Sequence, residues 1–332
     1  MGTFPKNFAS RRWHSFLGLA LVVYIIEHLL TNSQAALWIG DDGEGFINMV
    51  NAIHRLPYLQ VLEILLIALP FLFHGYLGVK YLRTSRVNSL PSDGRTPSLK
   101  YVRNRKFTWH RIASLILVVG VILHVIQMRF MDYPSEAREG DKVHYFVRVS
   151  LDSGLYTVAD RLGLQIVDGQ QVEVAQKALQ EKLGELGMPL SKALSDLREE
   201  ADAAGGYSPE LAAKLDSLQQ LQNEQTLVKA LKKKALRGDQ VLIGSGEFGK
   251  AALMTVRNTF KSPWMMGLYT VFVLAAVFHG FNGLWTFGIV WGITLTARSQ
   301  KMWARGVFGL IVLFSFLGLA SVWLTYWVNL RN

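Results

Sequence analysis

The chain contains no cysteine among its 332 residues. This absence excludes a disulfide framework, iron–sulfur ligation by this chain and a covalently attached c-type haem. Charge is also sparse: 18% of the residues are charged, whereas 50% are hydrophobic and gather in long runs. Uninterrupted apolar runs of this kind are typical of a membrane protein rather than of a soluble domain.

Five apolar stretches are long enough to cross a bilayer, since a spanning helix needs roughly 20 apolar residues for about 30 Å of hydrocarbon. The first has basic residues before it, as a signal peptide does, but no small-residue cleavage site follows, and Glu27 and His28 interrupt it. We therefore interpret it as a retained helix. The sequence predicts an all-α membrane protein, a five-helix bundle with spans at about 14–31, 58–82, 109–131, 264–294 and 306–328.

The net charge of +10 is distributed as a topology signal. Basic residues dominate 1–13, 83–108 and 296–306, whereas the loop at 32–57 is mainly acidic. Cytoplasmic loops are enriched in Lys and Arg. We therefore predict a multi-pass membrane protein with the N-terminus in the cytoplasm and the C-terminus outside. We predict no nucleic acid partner.

Residues 132–262 are polar and separate two membrane segments, 1–131 and 263–332. The predicted topology places this insertion on the outer side of the membrane. A short strand is expected at 144–150, and helices are expected over 172–236, where Ala, Leu, Glu, Gln and Lys dominate. We predict that the extramembrane insertion is mostly helical.

Histidines recur at one spacing within the predicted spans. His14 and His28 are 14 residues apart in the first span, and His110 and His124 repeat this separation in the third. At 100° and 1.5 Å per residue, two such residues lie on nearly one helix face, about 21 Å apart along the axis. Ionisable residues inside a membrane are costly, which makes them functional candidates.

The second and fourth spans share the pattern F-H-G-x-x-G, as FHGYLG at 73–78 and FHGFNG at 278–283. Small residues here, and Gly18 and Ser114 in the other two helices, leave gaps beside the backbone. A partner helix can enter such gaps, and so can a flat macrocycle. Simple helix packing is the alternative explanation, but a histidine in both motifs favours a ligand.

Depth pairs four of these histidines. His28 and His124 lie in the outer half of the predicted bundle, and His74 and His279 lie in the inner half; we call them the outer pair and the inner pair. Two facing imidazoles at each of two depths predict the ligation of two stacked b haems. Zinc is the rival metal, but its sites use about four ligands, often cysteine, which this chain lacks.

Four motifs then occur in a recognisable order: RRWHSFLG at 11–18 followed by His28, FHGYLG at 73–78, the third span at 109–128, and HGFNGLW at 279–285. Together they resemble the di-haem cytochrome b membrane-anchor subunit of succinate:quinone oxidoreductases and fumarate reductases, the succinate dehydrogenase cytochrome b558 family. The resemblance covers the membrane part of the chain, in the five-helix single-subunit form. It implies the same four histidines as axial ligands.

The resemblance further implies a flavoprotein subunit and an iron–sulfur subunit on the cytoplasmic face. Electrons would pass through two b haems between the iron–sulfur centres and a membrane quinone, for which menaquinone is favoured over ubiquinone. The chain alone is not expected to carry out dicarboxylate chemistry, because it contains no flavin-binding or carboxylate-activating motif. It would act as a subunit of the enzyme complex in the bacterial cytoplasmic (inner) membrane, in contact with membrane lipid.

Two further groups of polar residues are candidates at the two ends of the bundle. The propionates of the inner haem are anionic and are expected to contact polar groups at the cytoplasmic edge. The candidates are Arg11, Arg12, His14, Ser15, His110 and Arg111. The alternative is that these residues serve as interfacial anchors. A quinone is expected near the outer haem, because a second haem is useful only if electrons travel to the far end. Candidates to bind it or exchange its protons are Asn32, Asn51, His54 and Glu63.

Two alternatives stay open at this point. The chain could be a di-haem cytochrome b subunit of a hydrogenase or a formate dehydrogenase, which the identity of its partners would distinguish. It could also be a haem-free transporter or structural anchor, which an absorption spectrum would distinguish.

Overall fold

The structure is a computed structural model that describes residues 8–84 and 102–332. Residues 1–7 and 85–101, which include much of the predicted cytoplasmic charge, lie outside the described residues. The chain forms two compact units. The membrane unit comprises the described residues up to Arg129 together with Thr259–Asn329, and the insertion unit comprises Phe130–Asn258 and Leu330–Asn332.

Five helices in the described part of the chain are long and apolar enough to cross a membrane, which confirms the predicted number. They cover Phe8–Ser33, Leu59–Arg83, Arg105–Met131, Pro263–Val290 and Ala297–Asn329. The last begins nine residues earlier than the predicted 306, since 306 − 297 = 9. Its start is fixed by a capping box in which the Thr296 and Ser299 side chains each bond the other's backbone N–H.

These spans are built from regular helix interrupted by short π-helical turns. The first is α1 (Phe8–Ser33), and a short α2 (Glu44–His54) follows it within the predicted loop at 32–57. The second span consists of α3 (Leu59–Glu63), a π-turn (Ile64–Ala68) and α4 (Leu69–Thr84), and the third of α5 (Val102–Val125) and a π-turn (Ile126–Met131). The π-turn in the second span ends two residues before Pro70, which has no N–H for the regular ladder.

The helix α1 packs against α4, and the third-span helix α5 packs against α11 (Pro263–Val290). The α1–α4 pair meets the α5–α11 pair where α1 contacts α11, and α12 (Ala297–Leu324) packs on both α1 and α11. At the centre of α11, Val277 and Phe281 are fully buried. By contrast, α4 and α5 expose large apolar side chains, which suits contact with lipid: Leu72, Phe73, Tyr76, Leu115, Val119 and Leu123.

The insertion unit combines helices with a sheet that was not predicted in full. Its elements are β1 (Ser135–Glu139), β2 (Lys142–Ser150), α6 (Leu155–Leu162), β3 (Gln165–Val167), α7 (Gly169–Glu185), α8 (Leu190–Ala203), α9 (Pro209–Lys232), β4 (Gln240–Ser245) and α10 (Phe248–Phe260). The strands form an antiparallel sheet in the order β1-β2-β4-β3. The strand expected at 144–150 is present as the larger part of β2, and the helices expected over 172–236 are α7, α8 and α9.

The core of the insertion unit is conventional. Phe146 and Leu242 from the sheet pack with Ala230 and Leu231 from α9. Arg257 is fully buried and donates to both carboxylate oxygens of Asp152, at 2.7 and 2.8 Å, and to the carbonyl of Leu330 at 2.7 Å. Each guanidinium nitrogen of this buried charge therefore has an acceptor, as a buried ion pair requires.

Candidate haem site

The outer pair is brought together by α1 and α5. The ring centres of His28 and His124 are 6.0 Å apart, and the ring planes are inclined by 80°. Tyr269 on α11 lies beside them, with its hydroxyl 3.1 Å from Nδ1 of His124. The pairing predicted from depth is therefore present in the structure.

The inner pair is formed by α4 and α11. The ring centres of His74 and His279 are 6.2 Å apart, with the planes inclined by 88°. Each ring also stacks on a second histidine at 4.0 Å: His14 lies against His74, and His110 lies against His279. The inner site is thus a cluster of four imidazoles, two facing each other and two behind.

The separation in both pairs matches what one metal ion between two imidazoles requires. A metal–imidazole bond is about 2 Å and a ring centre lies about 1.1 Å beyond its nitrogen, so two ligating rings have centres about 6 Å apart. No group of three or more His, Cys, Asp or Glu side chains suited to a metal ion occurs among the described residues. Two axial ligands fit a metal whose other ligands come from a macrocycle, as in haem.

The hydrogen bonds on the inner pair leave the correct nitrogen for a metal. Nδ1 of His74 donates to the carbonyl of His14 at 2.9 Å, and Nδ1 of His279 donates to the carbonyl of His110 at 3.2 Å. A histidine that carries its proton on Nδ1 has a lone pair on Nε2. Metal-ligating histidines are commonly oriented in this way by a backbone carbonyl.

At the outer pair, side chains rather than backbone carbonyls lie beside Nδ1 of the facing histidines. Tyr269 donates its hydroxyl proton to Oε1 of Gln127 at 3.3 Å, so the tyrosine oxygen is left to accept from Nδ1 of His124. Gln127 in turn lies 3.5 Å from the hydroxyl of Thr259. The contacts to His28 are longer: the Tyr24 hydroxyl and the Asn32 amide are each 3.5 Å from its Nδ1.

The small residues of the motifs make room for histidine rings. A Cβ atom on Gly18 would lie 3.0 Å from Cε1 of His74. The last glycines of the two F-H-G-x-x-G motifs face the stacked histidines, because a Cβ on Gly78 would lie 3.6 Å from His14 and one on Gly283 would lie 4.0 Å from His110. The gap predicted beside Gly18 is therefore occupied by an axial histidine candidate.

The residues predicted to contact propionates lie at different places. His14 and His110 belong to the inner cluster, and each supplies the carbonyl that orients a facing histidine. The guanidinium of Arg12 lies 5.1 Å from the ring centre of Trp291, and Arg111 donates to the carbonyl of Leu82 at 3.4 Å. Arg11 is exposed and Ser15 is half-buried.

The quinone candidates are spread over α1, α2 and α3. Asn32 donates to the carbonyl of His28 at 2.8 Å. Glu63 forms an ion pair with Arg129, with 2.9 Å between Oε2 and Nη2, and both side chains are partly exposed. Asn51 is buried within α2, and His54 is half-buried at the last position of that helix.

Three residues that orient histidines were not found from the sequence: Tyr269, Gln127 and Asn282. Asn282 lies 3.1 Å from Nδ1 of His110, through its amide nitrogen. Its place in the second F-H-G-x-x-G motif was visible, but nothing in the motif indicated a partner. Tyr269 and Gln127 carry no spacing signal, because their contacts cross between α11 and the third span.

Five apolar helices that bring histidines together in two facing pairs are typical of the membrane cytochromes b. In sequence, the chain is similar to the succinate dehydrogenase cytochrome b558 subunit of Bacillus subtilis (strain 168), with 22% identity over 318 residues, 96% of each chain. This similarity over nearly the full length confirms the family resemblance predicted from the motifs. No family model matches the chain, and no solved structure matches it.

Proposed function

We propose that this protein is the membrane-anchor cytochrome b subunit of a succinate dehydrogenase or fumarate reductase complex, and that it carries electrons through two b haems between cytoplasmic iron–sulfur centres and a membrane quinone. The observation that carries the proposal is the presence of two facing histidine pairs at ring separations of 6.0 and 6.2 Å. The full-length similarity to a succinate dehydrogenase cytochrome b558 subunit favours this complex over a hydrogenase or formate dehydrogenase.

In this proposal His28 and His124 hold the outer haem, and His74 and His279 hold the inner one, each through Nε2. Haem b, when bound, supplies one-electron transfer at its iron. The chain fixes the four imidazole planes and surrounds them with apolar helices, which excludes water. Arg11, Arg12, Ser15 and Arg111 remain the propionate candidates at the cytoplasmic edge, with His14 and His110.

The test is the absorption spectrum of the purified protein with its haem content. We expect two low-spin b haems per chain, reducible in two steps. A preparation that folds and contains no haem would overturn the proposal and favour the transporter or anchor alternative. Co-purification with a flavoprotein and an iron–sulfur protein is expected; a hydrogenase or formate dehydrogenase partner would overturn the assignment of the complex.

The proposed orientation places the N-terminus in the cytoplasm and the insertion unit outside. Its support is the excess of Lys and Arg at 1–13, 83–108 and 296–306. Protease added to right-side-out vesicles should cleave within 132–262, for example in the exposed segment at Gly205 and Gly206. Cleavage there only in inverted vesicles would reverse the orientation.

The quinone is proposed to bind at the outer end, near Asn32, Asn51, His54 and Glu63. His54 is the proposed proton-exchange group, since an imidazole can both accept and donate a proton. In His54→Leu, quinone-linked electron transfer should fall while both haems and the reduction of a soluble dye by the complex persist. Unchanged quinone activity would remove His54 from the site. Quinone-site inhibitors that perturb only the inner haem would place the quinone at the other end.

A further inference from the structure

The two halves of the inner site repeat each other closely in sequence and in contacts. In one half, His74 of FHGYLG donates to the carbonyl of His14 and stacks on its ring; in the other, His279 of FHGFNG does the same with His110. The two motifs differ at two positions, with Tyr76 against Phe281 and Leu77 against Asn282.

The second of these positions lies three residues after each facing histidine, where one half has Leu77 and the other has Asn282. The Asn282 side chain is buried, at 6% exposure, and its Nδ2 lies 3.1 Å from Nδ1 of His110. His110 is therefore bonded to α11 at two points, its carbonyl and its ring. Leucine cannot make the second bond to His14, on whose ring the edge of Tyr81 packs instead, at 5.4 Å.

We propose that Asn282 is a positioning residue for the inner haem, which holds the His110 ring in one orientation and thereby fixes the plane of His279. An amide nitrogen can only donate, so Nδ1 of His110 accepts and its proton is on Nε2. Breaking the bond would leave a buried amide without this partner in an apolar interior, which is unfavourable. The held ring stacks on His279 at 4.0 Å with an angle of 11° between the planes, against 19° for His14 and His74.

Fixing the plane of His279 has a consequence for the haem iron, and this consequence rests on the proposed function. The planes of His74 and His279 are inclined by 88°. In a low-spin ferric haem with two imidazole ligands, the angle between the ligand planes governs the splitting of the iron d orbitals and so the largest g value of the electron paramagnetic resonance spectrum. Hydrogen bonding around the ligands also tunes the potential. One side of the inner haem is therefore rigidly held and the other is held less firmly.

The test compares three variants of the full chain in its complex. Asn282→Leu introduces the residue that the other half already has, so its shape is compatible with this motif. Thr286→Val is the matched control, because it removes a polar group one turn further along α11 whose hydroxyl bonds the carbonyl of Gly283. Asn282→Gln retains an amide and tests for rescue.

In Asn282→Leu we expect both haems to be present, the largest g value and the midpoint potential of the inner haem to shift, and the signal of the outer haem to stay unchanged. Asn282→Gln should restore part of the shift, and Thr286→Val should produce none. Full haem content with an unshifted inner signal overturns this inference alone. An equal shift in Thr286→Val also overturns it, because any lost polar group on α11 would then suffice. An unmodified protein that contains no inner haem overturns the proposed function, and this inference with it.

Discussion

The inner and outer histidine pairs have nearly the same ring separation but are supported by different kinds of groups. At the inner pair, backbone carbonyls of His14 and His110 accept from the facing histidines. At the outer pair, the groups that can accept from Nδ1 are the hydroxyls of Tyr269 and Tyr24. A backbone carbonyl survives almost any substitution, whereas a side-chain partner is removed by one. The comparison therefore predicts that replacing a side chain that bonds Nδ1 of a facing histidine will affect the outer pair selectively.

The largest effects should follow removal of the proposed haem ligands. His74→Leu or His279→Leu should remove the inner haem, and His28→Leu or His124→Leu the outer one, so that each variant retains about one haem of the two. Haem content and the reduced-minus-oxidised spectrum measure this outcome. Loss of both haems from every variant, in protein that still inserts into the membrane, would contradict separate sites and remove the basis of the comparison.

A smaller but still large effect is expected at Gly18, the close approach that serves the inner pair only. In Gly18→Val the new Cβ would lie 3.0 Å from Cε1 of His74, and the two methyl groups beyond it would displace the ring. We expect most of the inner haem to be lost and the outer haem to remain.

The matched control for this change is Gly309→Val on α12, where nothing lies within 4 Å of an added Cβ. It should retain both haems, as measured by the same spectrum. Equal haem loss in the two variants would show that added bulk in any span is disruptive, and that the fit of Gly18 to His74 is not specific.

The histidine pairs could be predicted from the sequence, whereas the groups that orient them could not. The five spans and the pairing of histidines by depth were predictable, because hydropathy and helical spacing are local properties of the chain. The orienting partners were not: Tyr269 reaches His124 across 145 residues of sequence. The carbonyls of His14 and His110 are also invisible in a sequence, since every residue has one.

The sheet of the insertion unit could also not be predicted in full, for a different reason. Strand β2 alternates and was expected, but β1 is the charged run SEARE, and β4 pairs with β2 about 95 residues away, as in the register Val147↔Ile243. Charged edge strands carry little β-propensity of their own and are defined by their partners. The prediction of helices over 172–236 succeeded because helix propensity and breaks at glycine are local.

The third prediction concerns Tyr269→Phe, which removes the hydroxyl and leaves the ring. Without the acceptor, Nδ1–H of His124 loses its partner, the imidazole becomes a poorer donor to iron, and the ferric state is less stabilised. The potential of the outer haem should rise, and its affinity should fall by about 10-fold or more. A redox titration that resolves the two haems measures the shift. A change at the inner haem of similar size would contradict the separation of the two support systems.

The smallest effect should come from the same chemical change at the other ligand of the same haem, Tyr24→Phe. The Tyr24 hydroxyl lies 3.5 Å from Nδ1 of His28, at the limit of a hydrogen bond, whereas Tyr269 lies 3.1 Å from His124. The Asn32 amide is also 3.5 Å from Nδ1 of His28, but its N–H is directed to the His28 carbonyl at 2.8 Å. His28 is thus the least firmly oriented of the four facing histidines, and removing a weak partner changes little.

We expect the potential of the outer haem to shift in the same direction as in Tyr269→Phe but by a clearly smaller amount, with both haems retained. The two variants should be titrated side by side, since they differ only in which ligand loses its neighbour. A shift in Tyr24→Phe as large as in Tyr269→Phe would mean that both ligands of the outer haem are oriented equally, and that distance in the structure does not rank their partners.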